Sequence, residues 1–211
     1  DIPVMVKLTE AMVKHTQLPV TVKTRLGWDY DSIKIVEVAE RLQDVGCAAL
    51  SIHGRTRAQM YKGEANWHPI AEVKNNPRMH IPIFGNGDVD SPEKAKEMRD
   101  SFGLDGAMIG RASIGNPWFF KAVNQFLKTG NHIAPASINQ RVETARRHLE
   151  MAIAWKGETL GVLETRRHYS NYFKGIPNFK PIRTLLVTLE STQELYSVLN
   201  NIVNQFELET V

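Results

Sequence analysis

The sequence predicts an α/β fold followed by an all-helical region. Over the first 130 residues, short apolar runs alternate with stretches of helical periodicity, the pattern of parallel strands joined by crossover helices. From Ser137 onward the periodicity is helical and no strand pattern recurs. A stretch rich in small and polar residues, 131–136, separates the two parts. We therefore expect an α/β domain at residues 1–130 and a small all-α domain at residues 131–211.

Four apolar runs predict the strands, which we place at residues 18–25, 48–53, 81–85 and 106–109. An apolar stripe between Ser32 and Val45 predicts the crossover helix between the first two strands. Before the last strand, Ser91 is suited to be a helix N-cap, with Pro92 in the first turn. This part of the chain therefore follows the order β-α-β-α-β-α-β.

Composition and cysteine usage exclude several classes of protein. Hydrophobic residues make up 42% of the chain and charged residues 23%, which is typical of a globular protein with a substantial core. No apolar run approaches the roughly 18 residues of a membrane helix, and the first residues lead us to expect no secretory leader. The single cysteine, Cys47, excludes an internal disulfide, so we expect a cytoplasmic location. Because the chain begins at Asp1 rather than Met, we also expect a fragment.

Charge is distributed unevenly along the helical region. Residues 137–183 carry nine Lys or Arg against four Glu, whereas residues 184–211 carry four Glu and no Lys or Arg. The basic stretch predicts either a phosphate-binding face or an ordinary solvated helical surface, and composition alone favours neither.

Polar side chains share one face of the first two strands. Lys23 and Arg25 alternate with apolar residues in the first strand, as Ser51 and His53 do in the second. Parallel strands are normally covered on both faces, so a polar face predicts a pocket, in which a buried lysine would need a bound acceptor. Two other interpretations stay open: Lys23 as an exposed strand-end lysine, and His53 in a structural hydrogen bond.

Glycine and charged residues follow the last two predicted strands. Asn86, Gly87 and Asp88 follow the third, and Gly110 and Arg111 follow the fourth. Glycine lets backbone amides approach an anion, and an arginine fork can bind phosphate oxygens. Each motif alone would predict a turn, but at successive strand ends they fit a phosphate site built by barrel loops.

Five motifs follow one another along the first part of the chain: residues 22–28 (VKTRLGW), 52–57 (IHGRTR), 60–63 (MYKG), 86–88 (NGD) and 108–111 (MIGR). In this order they resemble the signature of tRNA-dihydrouridine synthases. Residues 166–181 resemble the helical domain of that family more loosely. The resemblance implies the second half of a TIM (β/α)8 barrel followed by a helical domain that binds tRNA. It also implies an FMN enzyme that reduces specific uridines in tRNA to 5,6-dihydrouridine with NADPH.

The resemblance implies roles for two sets of residues. Positions that match the family's FMN contacts are Lys23, His53, Asn86, Gly87, Asp88, Gly110 and Arg111. Positions expected to approach tRNA are Arg55, Arg57, Lys62, Arg166, Arg167 and Lys174. We expect no metal site.

The family's general acid is a cysteine in the first half of the barrel, which this chain lacks. Cys47 follows Gly46 at the start of the second strand, on the side opposite the catalytic loops, so we predict a buried structural role for it. We therefore expect no catalytic residue in this chain and an inactive isolated fragment. A half-barrel also leaves strand edges unpaired, which predicts either a missing half elsewhere or self-association.

Further cations and aromatic residues of the helical region are open to two interpretations. Arg146, Arg147, Lys180 and Arg183 are additional candidates for tRNA phosphates. Trp155, Tyr169, Tyr172 and Phe173 are predicted to pack in a helical core rather than to stack on bases.

Two other functions fit parts of the sequence. A different flavin barrel, such as a dihydroorotate or dihydropyrimidine dehydrogenase, would need the lysine and the phosphate motifs but not a basic helical region. A non-catalytic RNA-binding fragment would need only the helical region.

Overall fold

The computed structural model describes residues 1–206, which form two compact units. The first unit comprises Asp1–Ala112 and Phe126–Thr129, and the second comprises Ser113–Gln125 and the described residues from Gly130 onward. The part of the expected helical domain at residues 207–211 lies outside the described range.

Strands and helices alternate in the first unit. The elements are α1 (Ile2–His15), β1 (Thr21–Arg25), α2 (Ile35–Asp44), β2 (Ala49–His53), α3 (His68–Asn75), β3 (Ile83–Asn86), α4 (Pro92–Phe102) and β4 (Gly106–Met108). A 3-10 turn (Arg111–Ser113) and α5 (Phe119–Thr129) follow along the chain, and each has residues in both units. The strands form one parallel sheet in the order β1-β2-β3-β4, so the predicted α/β class is confirmed.

Prolines set the start of two strands later than the apolar pattern predicts. The first run begins at residue 18 and the third at residue 81, but β1 begins at Thr21 and β3 at Ile83. Pro19 and Pro82 lie in the excluded segments, and proline has no N–H to donate to a neighbouring strand.

Helix ends in this unit follow their capping residues. The Ser91 side chain accepts a hydrogen bond from the Lys94 amide, as predicted, and Pro92 begins α4. Helix α2 lies inside the predicted range. Helix α1 was missed by the sequence analysis, although Asp1 caps it by accepting from the Val4 amide.

The core of this unit includes Leu42, Leu50, Ile52, Ile70 and Ile83, none of which has solvent-exposed surface.

The second unit is built around four helices: α6 (Ile138–Lys156), α7 (Glu158–Tyr172), α8 (Lys180–Thr188) and α9 (Thr192–Phe206). The preceding residues 131–136, predicted as the linker, carry no helix or strand. Ser137 begins α6 with a reciprocal capping box to Gln140. Leu149, Leu186, Leu195, Leu199 and Ile202 are fully buried between these helices.

Three of the four aromatic residues predicted for this core are in it. Tyr169, Tyr172 and Phe173 are buried, which confirms the prediction for them. For Trp155 the prediction is wrong, because its side chain is 83% exposed near the end of α6. No helix within residues 1–206 combines the length and apolarity that a bilayer crossing requires.

We expect Gly85→Ala to destabilise the first unit. A Cβ on Gly85 would lie 2.1 Å from Trp67 Cζ3 and 2.6 Å from Leu104 Cδ1, and both side chains are buried. Overpacking of this kind costs about 1–3 kcal/mol, so the thermal midpoint should fall. Gly110→Ala is the control, because a Cβ there meets no heavy atom within 4 Å. Equal midpoints for the two variants, followed by circular dichroism, would contradict this packing.

Candidate functional site

A cleft of about 740 Å³ lies at the carboxyl ends of the four strands. Strand register places Arg25, His53, Asn86 and Met108 in one row across the sheet, and all four line the cleft. Residues in one row of a parallel sheet point to the same face, which explains why the polar face of β1 and β2 opens here. Ligands of open α/β sheets bind at such strand ends.

The loops after β2 and β3 are joined by a buried ion pair between Arg55 and Asp88. Arg55 Nη1 donates to Asp88 Oδ1 at 2.9 Å, and Nη2 donates to Asp88 Oδ2 at 2.7 Å. The Arg55 side chain is only 2% exposed. This bidentate geometry fixes the orientation of both the guanidinium group and the carboxylate group.

The remaining Arg55 donors also have partners. Nε donates to the Lys62 carbonyl at 3.3 Å, Nη2 to the Gly63 carbonyl at 2.5 Å, and Nη1 lies 3.4 Å from His53 Nε2. A guanidinium carries five N–H groups, so this set accounts for all of them. Arg55 was predicted to approach tRNA, but its burial and its saturated donors favour a structural role.

The Arg55 contact determines the tautomer of His53. A guanidinium can only donate, so His53 Nε2 accepts and the ring proton lies on Nδ1. Burial, together with the charges of Arg25 and Lys23, lowers the pKa of His53 to about 4. The charge of Arg55 acts in the same direction, and that of Asp88 opposes it. His53 is therefore neutral near pH 7, with one ring N–H, and it lines the cleft.

Asp88 stays ionised despite its partial burial. Burial raises the pKa of this carboxyl, but hydrogen bonds from Arg55 and from the Ala65 amide outweigh that effect. The charges of Arg55 and Arg111 add to the lowering, and the pKa of Asp88 lies below its ordinary value. The Ala65 amide donates to Oδ2 at 2.8 Å.

The backbone after β3 turns through left-handed conformations. Gly87 has φ 129° and Asp88 has φ 56°. A Cβ on Gly87 would lie 2.5 Å from Ala65 Cβ and 3.2 Å from His53 Cδ2. Glycine is therefore required at this position, where the backbone passes close to the His53 ring. Asn86 donates from Nδ2 to the Met108 carbonyl at 2.7 Å, which ties this turn to β4.

At the mouth of the cleft, Tyr61 lies between two arginines. Arg111 Cζ is 5.1 Å and Arg25 Cζ 5.8 Å from the Tyr61 ring centre, within the range of cation–π attraction. Arg111 also donates from Nη2 to Asp88 Oδ1 at 2.9 Å, and it stays 61% exposed. Neither Arg25 nor Tyr61 was proposed as a site residue from the sequence. The sequence did contain a signal for Arg25: it lies two residues after Lys23, so both side chains point to the same face of the strand.

The segment between β2 and α3, residues 56–64, is held through its carbonyls. Arg25 Nη1 donates to the carbonyls of Thr56 and Met60 at 2.8 and 2.9 Å. Arg55 holds the carbonyls of Lys62 and Gly63, as described above. We call these residues the carbonyl-held loop.

Arg57 and Lys62 project from the carbonyl-held loop and are exposed, as expected for side chains that approach a large substrate. Arg57 Cζ lies 5.8 Å from the Trp28 ring centre, and Trp28 is 68% exposed. The loops after β1 and β2 therefore present an aromatic ring and two cations to solvent.

Lys23 and Cys47 differ in their surroundings. Lys23 lines the cleft that the polar strand face predicts, and its side chain is exposed there, in agreement with the alternative of an exposed lysine. Cys47 is 2% exposed, its Sγ lies 3.2 Å from the Ala49 carbonyl, and burial raises the pKa of its thiol. These contacts favour a structural role for Cys47.

In the second unit, Arg166 differs from the other predicted tRNA contacts. It donates from Nη2 to the carbonyls of Thr188 and Leu189 at 3.0 and 2.8 Å, and its side chain is 18% exposed. Arg166 therefore supplies hydrogen-bond donors to backbone carbonyls at the C-terminal end of α8, which favours a structural role for it. Arg167 and Lys174 are exposed.

The sequence of the chain matches a known family over nearly its whole length. The model of the family described as "Dihydrouridine synthase (Dus)" matches residues 2–208. This chain belongs to the dihydrouridine synthase family.

Curated relatives agree with this assignment of the dihydrouridine synthase chain. The tRNA-dihydrouridine synthase B of Pseudomonas aeruginosa is 37% identical over 192 residues, covering 91% of this chain and 57% of the relative. That of Xanthomonas axonopodis pv. citri is 39% identical over 191 residues, covering 90% and 57%. The chain thus spans little more than half the length of these relatives. Among solved structures, a mandelate oxidase variant with benzaldehyde aligns with 93% of this chain and 59% of its own, at a TM-score of 0.35 and 14% identity.

We expect His53 of this dihydrouridine synthase chain to titrate with a midpoint near pH 4, measured from its ring resonances by NMR. Lys23→Gln and Arg25→Gln should each raise that midpoint, because each removes a charge that disfavours the imidazolium. The unfolded chain takes up this proton at about pH 6.5. The stability contributed by neutral His53 is therefore complete above pH 6.5 and is lost as the pH falls towards 4. A midpoint near 6.5 in the folded protein would refute the assigned contacts.

Proposed function

We propose that the intact protein reduces specific uridines in tRNA to 5,6-dihydrouridine, with FMN as cofactor and NADPH as reductant. The observation that carries this proposal is the cleft at the carboxyl ends of the sheet, because its lining includes every residue expected to contact the flavin: Lys23, His53, Asn86, Gly87, Asp88, Gly110 and Arg111. The relatives named tRNA-dihydrouridine synthase B support tRNA uridine reduction. A chain without an internal disulfide also suits the cytoplasm.

The chemistry of the cleft fits a flavin. Its volume lies within the range of about 300–1,000 Å³ that is usual for cofactor sites. Among the residues that line the cleft, Lys23 has an ammonium group and His53 has one N–H, and both groups are hydrogen-bond donors. Flavin ring carbonyls and ring nitrogens are acceptors, so these two side chains would orient the ring by hydrogen bonding.

The phosphate of FMN would lie at the ends of β3 and β4. Arg111 is exposed there beside Gly110, and Gly87 gives close backbone access. Asn86 is the fourth residue assigned to this cradle. Arg111 can offer the phosphate its guanidinium donors beyond the one engaged by Asp88.

Asp88 would serve the cofactor indirectly. An ionised carboxylate is an acceptor and repels a phosphate, so direct contact between the two is unfavourable. Its contacts with Arg55 and Arg111 hold both guanidinium groups instead. We therefore propose Asp88 as the residue that positions Arg111.

The carbonyl-held loop would meet the tRNA strand. Arg57 and Lys62 are its exposed cations and would contact phosphates, while Arg55 would fix the loop from below. Arg167 and Lys174 would add phosphate contacts from the second unit, and the structural role of Arg166 makes its own contact indirect. When bound, reduced flavin supplies a hydride to a uridine taken out of its stack.

We assign no catalytic acid to this chain. Cys47 is buried and hydrogen-bonded, and a matching cysteine on a loop of the cleft would have to come from the part of the protein beyond these 211 residues. The chain alone would therefore bind flavin without reducing uridine.

We also propose that the sheet is the second half of a (β/α)8 barrel. The strands are parallel and sequential, helices connect them, and the cleft opens at their carboxyl ends, as in barrels of this class. Within the described residues, β1 and β4 each pair with a single neighbour. The second unit would then be the all-α tRNA-binding domain that follows the barrel.

The face beside β1 is apolar. Val4, Leu8 and Met12 form a stripe along α1 at intervals of four residues, and they are 51%, 61% and 61% exposed. Leu18, just before β1, is 76% exposed. This surface, which we call the α1 face, would be covered by the first half of the barrel or, in this chain alone, by a second copy.

We expect the purified chain to bind FMN, observed as a shifted flavin absorbance spectrum on titration. Lys23→Gln and Arg111→Gln should each weaken binding about tenfold to a hundredfold, the usual effect of losing a hydrogen bond from a charged group. Lys7→Gln is the control, because Lys7 is exposed on α1 and does not line the cleft. If FMN fails to bind at micromolar concentration, the cleft is not a flavin site in this chain.

We expect the isolated chain to associate through the α1 face. Size-exclusion chromatography with light scattering should give about twice the 23.9 kDa of one chain. Leu8→Glu should shift the mass to that of a monomer, because it places a charge in the apolar stripe. Leu163→Glu, on an exposed leucine of α7, should leave the mass unchanged. A folded unsubstituted monomer would be inconsistent with this association.

A further inference from the structure

A cavity of about 370 Å³ lies between α6 and α7 in the second unit. Two histidines and a methionine line it: His148 and Met151 on α6, and His168 on α7. The centres of the two histidine rings are only 4.9 Å apart. We call these three residues the His–Met cluster. The proposed function makes no use of them.

Helix geometry brings the side chains of the His–Met cluster together. His148 and Met151 are three positions apart on α6, so they project from the same face of that helix. Two nitrogens that bind one metal ion at about 2.0–2.1 Å lie about 3–4 Å from each other, a separation that the two imidazole rings allow. Methionine has three rotatable bonds, so its thioether sulfur can move towards an ion held by the rings.

A hydrogen bond orients one of the two histidines. The hydroxyl of Tyr172, a buried residue, lies 3.2 Å from His148 Nδ1. With its proton on Nδ1, the His148 ring donates to this hydroxyl oxygen and keeps an unprotonated Nε2. Histidines that bind metals commonly engage their second ring nitrogen in this way, because the hydrogen bond fixes both the ring and its tautomer.

Both imidazoles of the cluster are neutral near pH 7. Burial lowers the pKa of His148. Burial, followed by the charges of His148 and Arg167, lowers the pKa of His168, and the charge of Glu164 opposes that shift. Metal ions bind the neutral form of imidazole, so the cluster needs no deprotonation before it binds one.

The ligand set of the cluster favours a soft ion. Within residues 1–206, no group of three or more His, Cys, Asp and Glu side chains is arranged to hold a metal ion, so a site here depends on the Met151 thioether. Thioether sulfur is a soft ligand that selects Cu(I), and imidazole suits copper as well.

The charges around the cavity favour a monovalent ion. Lys156 and Arg167 line it, and Glu164, which pairs with both, offsets only one of the two positive charges. The remaining positive charge repels a divalent ion about twice as strongly as a monovalent one.

Trp155 supplies an aromatic ring at the same cavity. It lies one helical turn beyond Met151 and is 83% exposed. Lys156 Nζ is 4.9 Å from its ring centre, so the ring already attracts a cation. The fluorescence of Trp155 should therefore respond to an ion that binds beside it.

We propose that the His–Met cluster binds a soft monovalent cation of the Cu(I) class. His148 and His168 would supply imidazole nitrogens, and Met151 a thioether sulfur. This inference goes beyond the proposed function, because it requires neither flavin nor RNA. It departs from the expectation of no metal site, since the sequence does not reveal which face of α7 meets α6.

The test is isothermal titration calorimetry of the whole chain with silver nitrate in chloride-free buffer. Ag(I) stands in for Cu(I), because it is soft and monovalent and needs no reductant. Silver also binds thiols, so every protein in the series carries Cys47→Ala. The tightest binding event should involve one ion per chain. His168→Gln and Met151→Leu should each weaken it roughly tenfold or more, since even the loss of a supporting residue costs a metal site about 10–100-fold.

Met151→Leu guards against a result caused by misfolding. It conserves size and apolar character at a position that is 62% exposed, so its circular dichroism should match that of the parent protein. Unchanged silver affinity in this variant would overturn the proposed thioether ligand.

The double variant Met12→Leu, His15→Gln is the control. These residues are also three positions apart on one helix, and both line a cavity beside α1. Over the described residues, the lining of that cavity contains no second histidine. The control should bind silver as tightly as its Cys47→Ala parent. Equal losses in the control and the cluster variants, or no silver binding at all, would overturn the proposal.

Two further measurements locate the ion and identify its class. Silver should change the tryptophan emission of the chain, and Trp155→Phe should remove most of that change. A full response in Trp155→Phe would place the ion elsewhere and contradict the site. Zn²⁺ should bind more weakly than Ag(I). Zn²⁺ binding as tight as that of Ag(I) and insensitive to Met151→Leu would overturn the assignment of a soft ion.

Discussion

The ion pair between Arg55 and Asp88 is the interaction on which the cleft depends. It joins the loops after β2 and β3, and its members also contact His53, the carbonyl-held loop and Arg111. Burying a guanidinium is costly, and here a carboxylate, two carbonyls and an imidazole nitrogen offset the cost. Lysine could not replace Arg55, because an ammonium group has three donors in the wrong geometry for this set.

The same interaction gives the cleft its polarity. Because Arg55 occupies the only acceptor of the neutral His53 ring, the remaining polar group of that imidazole is a donor, and Lys23 and Arg111 add donors to the lining of the cleft. Asp88, an acceptor in the same lining, is engaged by Arg55, Arg111 and the Ala65 amide. These donors would suit a ligand rich in carbonyl, ring-nitrogen and phosphate acceptors, such as the flavin nucleotide of the proposed function.

The sequence predicted the parts of this structure that follow from local periodicity. Apolar runs located the strands, the Ser91 cap located α4, and motif residues after the strands located the cleft. The sequence could not predict the burial of Arg55, because the alternation of side chains between the two faces of a sheet stops where the strand stops. Beyond β2, the backbone conformation of the turn decides where each side chain points. The contacts of Arg166 with the end of α8 could not be predicted for a related reason: a cation in a basic stretch and a cation that caps a distant helix have the same local sequence. The exposure of Trp155 likewise depends on how the helices pack against each other, which local sequence does not reveal.

The carbonyl-held loop has a consequence for how this protein could diversify. Arg25 and Arg55 donate hydrogen bonds to backbone carbonyl oxygens of this loop, and every amino acid has such an oxygen. Side chains on the loop can therefore be exchanged without loosening its attachment, while the residues beneath it stay fixed by their mutual contacts. Under the proposed function, recognition of the nucleic acid and retention of the cofactor would in this way be separable traits. Relatives with new target positions could then arise by substitutions in this one short segment, while the residues beneath it stay unchanged.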